Sequence, residues 1–197
     1  MEKEKRTLKF SEIFGFGAGG MFTYGFQLMI TGYYLLYYMT DIAGFSTVLA
    51  ASLYSTIQII KMVTMLFSGV IIDAINFRSG KYRTWVLVSG IGLGLFFPLS
   101  FFYYPLPQSV YVVVFMIIYT LQTLFYNVGW TAMRAVIGKV AKNKADVVAL
   151  NTSAQSAGTI SSILYGYIGY PILGIALWAG TKQAYGCASA IYGLTII

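Results

Sequence analysis

STIQIIKMVTMLFSGVIIDAINFRSGKYR, residues 55–83, is the stretch from which the rest of the chain can be read. It begins inside a long apolar run, sets a single lysine, Lys61, deep within that run, and ends in a charged cluster of Asp73, Arg78, Lys81 and Arg83. A helix needs about 20 predominantly apolar residues to cross a hydrocarbon layer about 30 Å thick. A lysine at mid-depth in such a helix costs about 2.5 to 3.5 kcal/mol on insertion scales, unless it meets a cavity or a partner. The stretch therefore predicts a membrane helix carrying a charge that is either used or hidden, followed by a short basic loop.

Composition points the same way. Apolar residues make up 58% of the 197 and charged residues 10%, and mean hydropathy is +0.72. A soluble domain carries about 25% charged residues, so the chain reads as an integral membrane protein with the lipid bilayer as its first partner. The net charge of +7 does not indicate nucleic acid, because the basic residues sit in short breaks between apolar runs, where they set topology. One cysteine, Cys187, leaves no disulfide within the chain. The absence of histidine removes imidazole metal sites and every Ser/His or Cys/His dyad. An enzyme would have to run its acid and base chemistry on Lys61 and tyrosines alone, so no enzymatic activity and no metal are expected.

Apolar runs alternate with short polar breaks at 14–39, 48–72, 85–102, 110–133 and 147–177, and a last run covers 184–197. This predicts an all-α bundle over 14–197 behind a basic lead-in, 1–13, whose following run is too long for a signal-peptide core. At 14 residues the last run is too short to span, so the sixth helix is expected to be incomplete. Lys3, Lys5, Arg6 and Lys9, then Arg78, Lys81 and Arg83, then Lys139, Lys142 and Lys144 fall on one side of the membrane, against Lys182 on the other. By the positive-inside rule the N-terminus is cytoplasmic, in a multi-pass protein of the plasma (cytoplasmic) membrane. Arg134 falls at the inner end of the fourth run, where a long side chain snorkels cheaply.

Helical spacing sorts the polar residues into stripes. Tyr54, Gln58, Lys61, Met65 and Ser68 share a face of the second helix, and Thr23, Gln27 and Tyr34 one of the first. Thr120, Thr123, Asn127, Thr131 and Arg134 line the fourth, with Gln122, Tyr126 and Trp130 beside them; Asn151, Gln155, Thr159 and Ser162 align on the fifth. The third has no amide or charge between Trp85 and Phe102, and is expected to look at lipid. Two readings of the stripes stay open. Such side chains hydrogen-bond packed helices together at about 0.6 kcal/mol each, or they line a shared aqueous cavity. In the second case Lys61, Gln27, Gln58, Asn127, Asn151 and Gln155 offer polar groups to a hydroxyl-rich solute, and Tyr54, Tyr126 and Trp130 offer rings to stack on it. The glycine string Gly15, Gly17, Gly19, Gly20 follows no strand, so it reads as close helix approach and no cofactor is expected.

Gly69-Val70-Ile71-Ile72-Asp73 followed by Arg78, Gly80, Lys81 and Arg83 resembles the loop signature between helices two and three of major facilitator superfamily transporters. With YYLLYYMTDIAG at 33–44 and Gly80-Lys81-Tyr82-Arg83-Thr84-Trp85, the chain resembles the glycoside-pentoside-hexuronide:cation symporter family, of melibiose-permease type. The resemblance implies the N-terminal six-helix half of a twelve-helix transporter. Its central cavity would be lined in this half by helices one, two, four and five, and completed by a C-terminal half, a second copy or another membrane chain. It also implies alternating access by a sugar, glycoside or hexuronide, with Asp73, Arg78, Lys81 and Arg83 as a cytoplasmic gate. The same resemblance marks departures. Two helix-two positions that help coordinate the coupling cation hold Lys61 and Met65. Positions for sugar-contacting aspartates fall on Phe22 and Trp130, and that of a helix-five arginine on Gln155. Coupling to sodium or protons by the usual route is therefore in doubt. Lys61 is expected to present a fixed charge, suited to an anionic solute, or else to pair with a carboxylate elsewhere. The competing expectation is a non-transporting transporter half acting as an assembly partner, receptor or regulator.

Overall fold

A computed structural model describes residues 8–21, 25, 32, 34–77, 80–176 and 182–194. The protein is all-α. Helix α1, Phe10–Phe16, passes directly into a π-helical turn at Gly17–Met21, and a second π-helical turn, Tyr38–Ile42, follows a helical segment at 34–37. Then come α2, Thr47–Ala74, α3, Lys81–Phe101, α4, Gln108–Val140, α5, Lys144–Ala176, and α6, Ala184–Leu194. Of these, α2, α3 and α4 are each long and apolar enough to cross a membrane.

The boundaries follow from local chemistry. Ser46 is extended and its hydroxyl accepts the Leu49 N–H at 3.3 Å, capping α2. Gly80, at φ 103°, takes the left-handed turn that aims the chain into α3, a conformation costly for a residue with a Cβ. Pro107 precedes α4, pre-setting its entry without needing a donor. Asn143 accepts the Asp146 N–H at 2.8 Å at the start of α5. Helix α4 continues to Val140, about two turns past the apolar run that ends at 133, because Met133 and Ile137 keep one face apolar and buried there. Arg134 thus lies within the helix and not at its end.

The third helix is packed otherwise than its lack of amides suggests. Trp85, Ser89, Gly92, Leu93, Phe97, Ser100 and Phe101 are buried, and α3 lies against both α4 and α6. The contact runs on small residues: Gly92 leaves room for the Phe125 ring and Gly186 of α6 for Phe102. Lipid tails are as apolar as leucine, so membrane helices associate by close packing, and the absence of amides does not mark a lipid face. Beyond Arg83 in its first turn, the exposed residues of α3 are the stripe of Leu87, Ile91 and Leu95.

At the end where the 102–107 loop lies, Tyr38, Phe45, Phe97, Phe101, Tyr111 and Phe115 form the largest core cluster. The Tyr38 and Tyr111 hydroxyls are 2.6 Å apart and Tyr38 donates to the Phe102 carbonyl at 2.8 Å. Gln183 pairs with the Tyr103 backbone in both directions, donating to its carbonyl at 2.9 Å and accepting its N–H at 3.3 Å.

Candidate functional site

Helix α4 is the axis of the candidate site, because its two flanks carry different chemistry. On the flank facing α2, Asn127 is 5% exposed and its amide nitrogen donates to the Lys61 carbonyl at 3.0 Å and to the Thr64 hydroxyl at 2.7 Å. One turn further, the Ser68 and Thr131 hydroxyls are 2.7 Å apart. Two polar clasps therefore join α2 to α4. Thr64 drew no attention in the sequence because it lies between the marked positions Lys61 and Met65, yet it takes the shorter of the two Asn127 bonds.

On the other flank, Tyr126 and Trp130 stack with centroids 6.2 Å apart and planes 22° from parallel. The Arg134 guanidinium lies 4.7 Å from the centre of the Trp130 ring. Spacing of four places all three on one row of the helix. Both rings pack in a cluster with Phe16 before the π turn and with Ala154 and Ala157 of α5. The row begins differently: Gln122 is wholly buried and accepts the Ser100 hydroxyl at 2.7 Å, so it belongs to the α3 seam.

The other expected cavity residues are dispersed. Tyr54 is half-buried against the aromatic end cluster. Gln58 and Gln155 are exposed, and Met65 is 55% exposed. Asn151 donates to the Val147 carbonyl of its own helix at 3.0 Å. Lys61 is half-buried, with its backbone tied by Asn127. Gln27 and Arg78 lie outside the described residues. The structure thus brings together Lys61 with Asn127 and Tyr126 with Trp130. It adds Arg134, which the sequence offered as a snorkelling anchor and as the end of a polar stripe, not as a partner of Trp130.

At the 75–80 loop, Lys81 and Asp73 form an ion pair at 2.5 Å, with Asp73 75% and Lys81 26% exposed; Arg83 is exposed. A pair so wet contributes about 0.2 to 1 kcal/mol. A stronger tie on the same side escaped notice in the sequence. Asp146 is fully buried, and its carboxylate accepts the Leu8 N–H at 3.2 Å and the Lys142 N–H at 3.3 Å. Ser153 donates to the Ile13 carbonyl at 2.7 Å beside it. Together they fasten the entry to α1 onto the start of α5. The spacing of Asn143 and Asp146, a cap followed three residues later by an acid, was the signal available.

Residues 15–197 match the family model described as MFS/sugar transport protein. The chain belongs to that family. Among relatives, the Escherichia coli (strain K12) protein named "Putative glycoside/cation symporter YagG" is 26% identical over 184 residues, which are 92% of this chain and 39% of that one. The isoprimeverose transporter of Lactiplantibacillus pentosus is 23% identical over 182 residues, 92% of this chain and 38% of that one. The inner membrane symporter YicJ of Escherichia coli (strain K12) is 24% identical over 135 residues, 66% and 29% of the two chains. The resemblance to glycoside-pentoside-hexuronide symporters is therefore shared by several relatives. The chain spans under two fifths of the length of each.

Within this MFS/sugar transport family member, the sequence places no aspartate or glutamate between Thr47 and Ile72 or along α4. The α2–α4 seam therefore combines neutral hydrogen bonds and one lysine with an apolar cluster that holds Ile72 of α2 together with Val128 and Ala132 of α4.

Proposed function

We propose that this chain forms one six-helix half, at 14–197, of a secondary transporter that moves a sugar, glycoside or hexuronide-like solute by alternating access. It would act in the cytoplasmic membrane with its N-terminus inside, and it is not an enzyme. A C-terminal half, a second copy or another membrane chain would complete the cavity. The observation that carries this reading is the row of Tyr126, Trp130 and Arg134 on α4, in a chain whose family and relatives are sugar transporters by description. An aromatic face binds the apolar side of a sugar ring, and a guanidinium at its edge forms paired hydrogen bonds to a carboxylate. Lys61 adds a second fixed positive charge, which favours an anionic solute such as a uronide. With Lys61 and Met65 where two acids would be needed, this half would not couple flux to sodium or protons by the usual route. The pair of Asp73 and Lys81, with Arg78 and Arg83, would serve as a cytoplasmic gate.

Uptake of labelled glycosides and hexuronides into proteoliposomes, with the complete protein, tests the reading. Saturable flux is expected, with KM rising about tenfold in Trp130→Ala, the scale of one lost ring contact of about 1 kcal/mol or somewhat more. Lys61→Ala should weaken uronides more than neutral glycosides. The lack of carboxylates between Thr47 and Ile72 and along α4 also favours a second reading, a non-transporting half that serves as an assembly partner, receptor or regulator. Absence of flux for every sugar tried, with the protein correctly inserted, would decide for it.

A further inference from the structure

We infer that Asn127 is a positioning residue: its amide holds the Lys61 turn of α2 against the ring-bearing turn of α4 and closes that joint without a bound ion. Two oxygens of one α2 turn, the Lys61 carbonyl and the Thr64 hydroxyl, converge on a single nitrogen at 3.0 and 2.7 Å. An amide nitrogen has two hydrogens, so both bonds are made at once and both donors are used. Partial positive charge set between converging oxygens is the arrangement a hard cation makes in an oxygen site. Here a neutral side chain makes it, and Lys61 on the same turn supplies a full positive charge that repels any further cation. No carboxylate to offset that charge lies between Thr47 and Ile72 of α2 or along α4.

Asn127 follows Tyr126 directly and stands three residues before Trp130, so its clasp sets where Lys61 sits relative to the stacked rings. Loss of the clasp therefore moves the charge and the rings apart, and solute affinity falls while the turnover step is spared. The sugar readout rests on the transport reading above. A second readout does not.

The test uses the complete protein in proteoliposomes, with Asn127, N127A or N127D, in sodium chloride or choline chloride. The sugar readout is KM against kcat. The independent readout is the rate of disulfide formation between S68C and T131C in a C187S background, a pair whose hydroxyls are 2.7 Å apart in the parent. With Asn127 present, both readouts should be the same in the two salts. N127A should raise KM about tenfold with little change in kcat, and slow the cross-link in both salts, as expected for losing two buried hydrogen bonds. N127D keeps the shape but turns acceptor against acceptor. Its cross-link should be slow in both salts, because Lys61 on the same turn disfavours a sodium ion at the joint. Sodium accelerating the cross-link with Asn127 present would overturn the inference, as would an N127A cross-link rate equal to the parent's. No sugar flux in any variant, together with the expected cross-link pattern, would sink the transport reading and leave the clasp standing.

Discussion

The 102–107 end of the bundle and the α2–α4 seam are held by opposite means. At the end, rings interlock in three dimensions: Tyr38 meets Phe101 at 5.3 Å and Phe115 at 6.3 Å, and Phe45 meets Tyr111 at 5.3 Å. The seam offers two clasps, Asn127 with Lys61 and Thr64, and Ser68 with Thr131. Beyond them Ile59, Met62, Val63, Met65, Leu66 and Phe67 of α2 are exposed. An interlocked aromatic core has one arrangement, since any shift forfeits many dispersion contacts together. The seam's clasps are few hydrogen bonds between neutral groups, set beside an aliphatic cluster of Ile72, Val128 and Ala132 that interlocks less than rings do, so it can part and re-form at smaller cost. The aromatic end is the fixed point of this bundle, and the seam is where a moving part would give.

The aromatic end is loosened most by losing a ring at its centre. Phe115, 1% exposed, touches Tyr38, Phe45 and Tyr119. Phe115→Ala should cost about 2 to 3 kcal/mol, below the soluble-protein range because lipid is as apolar as the core it leaves. Reversible unfolding in mixed micelles measures it; a loss under 1 kcal/mol would mean that the end is not the rigid region. Tyr38→Phe keeps the ring and removes the hydroxyl shared with Tyr111 and the Phe102 carbonyl, and should cost about 1 to 2 kcal/mol in the same assay. Ser68→Ala removes one seam clasp and should cost about 0.6 kcal/mol. If it costs as much as Tyr38→Phe, the two regions do not differ as described. Asp73→Asn, at the wet pair with Lys81, should change stability by less than about 1 kcal/mol. Labelling of a cysteine in the 75–80 loop should nonetheless rise as the pair opens; if only expression falls, the pair is not a gate.

How much of this was legible beforehand varied with the kind of residue. The spans of α2, α3, α4 and α5 were readable from apolar run length, with ends differing by a few residues, because length against the bilayer is a one-dimensional constraint. The α4 end was missed because Ile137, one turn on from Met133, continues the buried apolar face beyond the polar residue Arg134. The polar stripes were found, but what each stripe faces was not. Asn127 turned toward α2, Gln122 toward α3, and Asn151 onto its own helix. Gln58 and Gln155 remained exposed. Periodicity names a face of a helix, not its neighbour. The third helix was misread for a related reason: its contacts are made by glycine, serine and aromatic rings, which carry no polar signature. Asp146 was passed over because a loop acid looks like surface charge until the chain from Leu8 is folded over it.

By itself, then, the amino-acid sequence determined that the chain is an all-α membrane protein, and its loop signature marked the family, with Lys61 set in an apolar run as the charge to be accounted for. These follow from the cost of placing polar backbone and charge in hydrocarbon, which is paid locally and can be read residue by residue. Only the tertiary structure decided that Asn127 clasps Lys61 and Thr64, that Arg134 lies over Trp130, and that α3 packs between α4 and α6. Those outcomes depend on which helix flanks meet, and without a hydrophobic drive between helices that choice is made by the fit of small and aromatic side chains across the whole bundle.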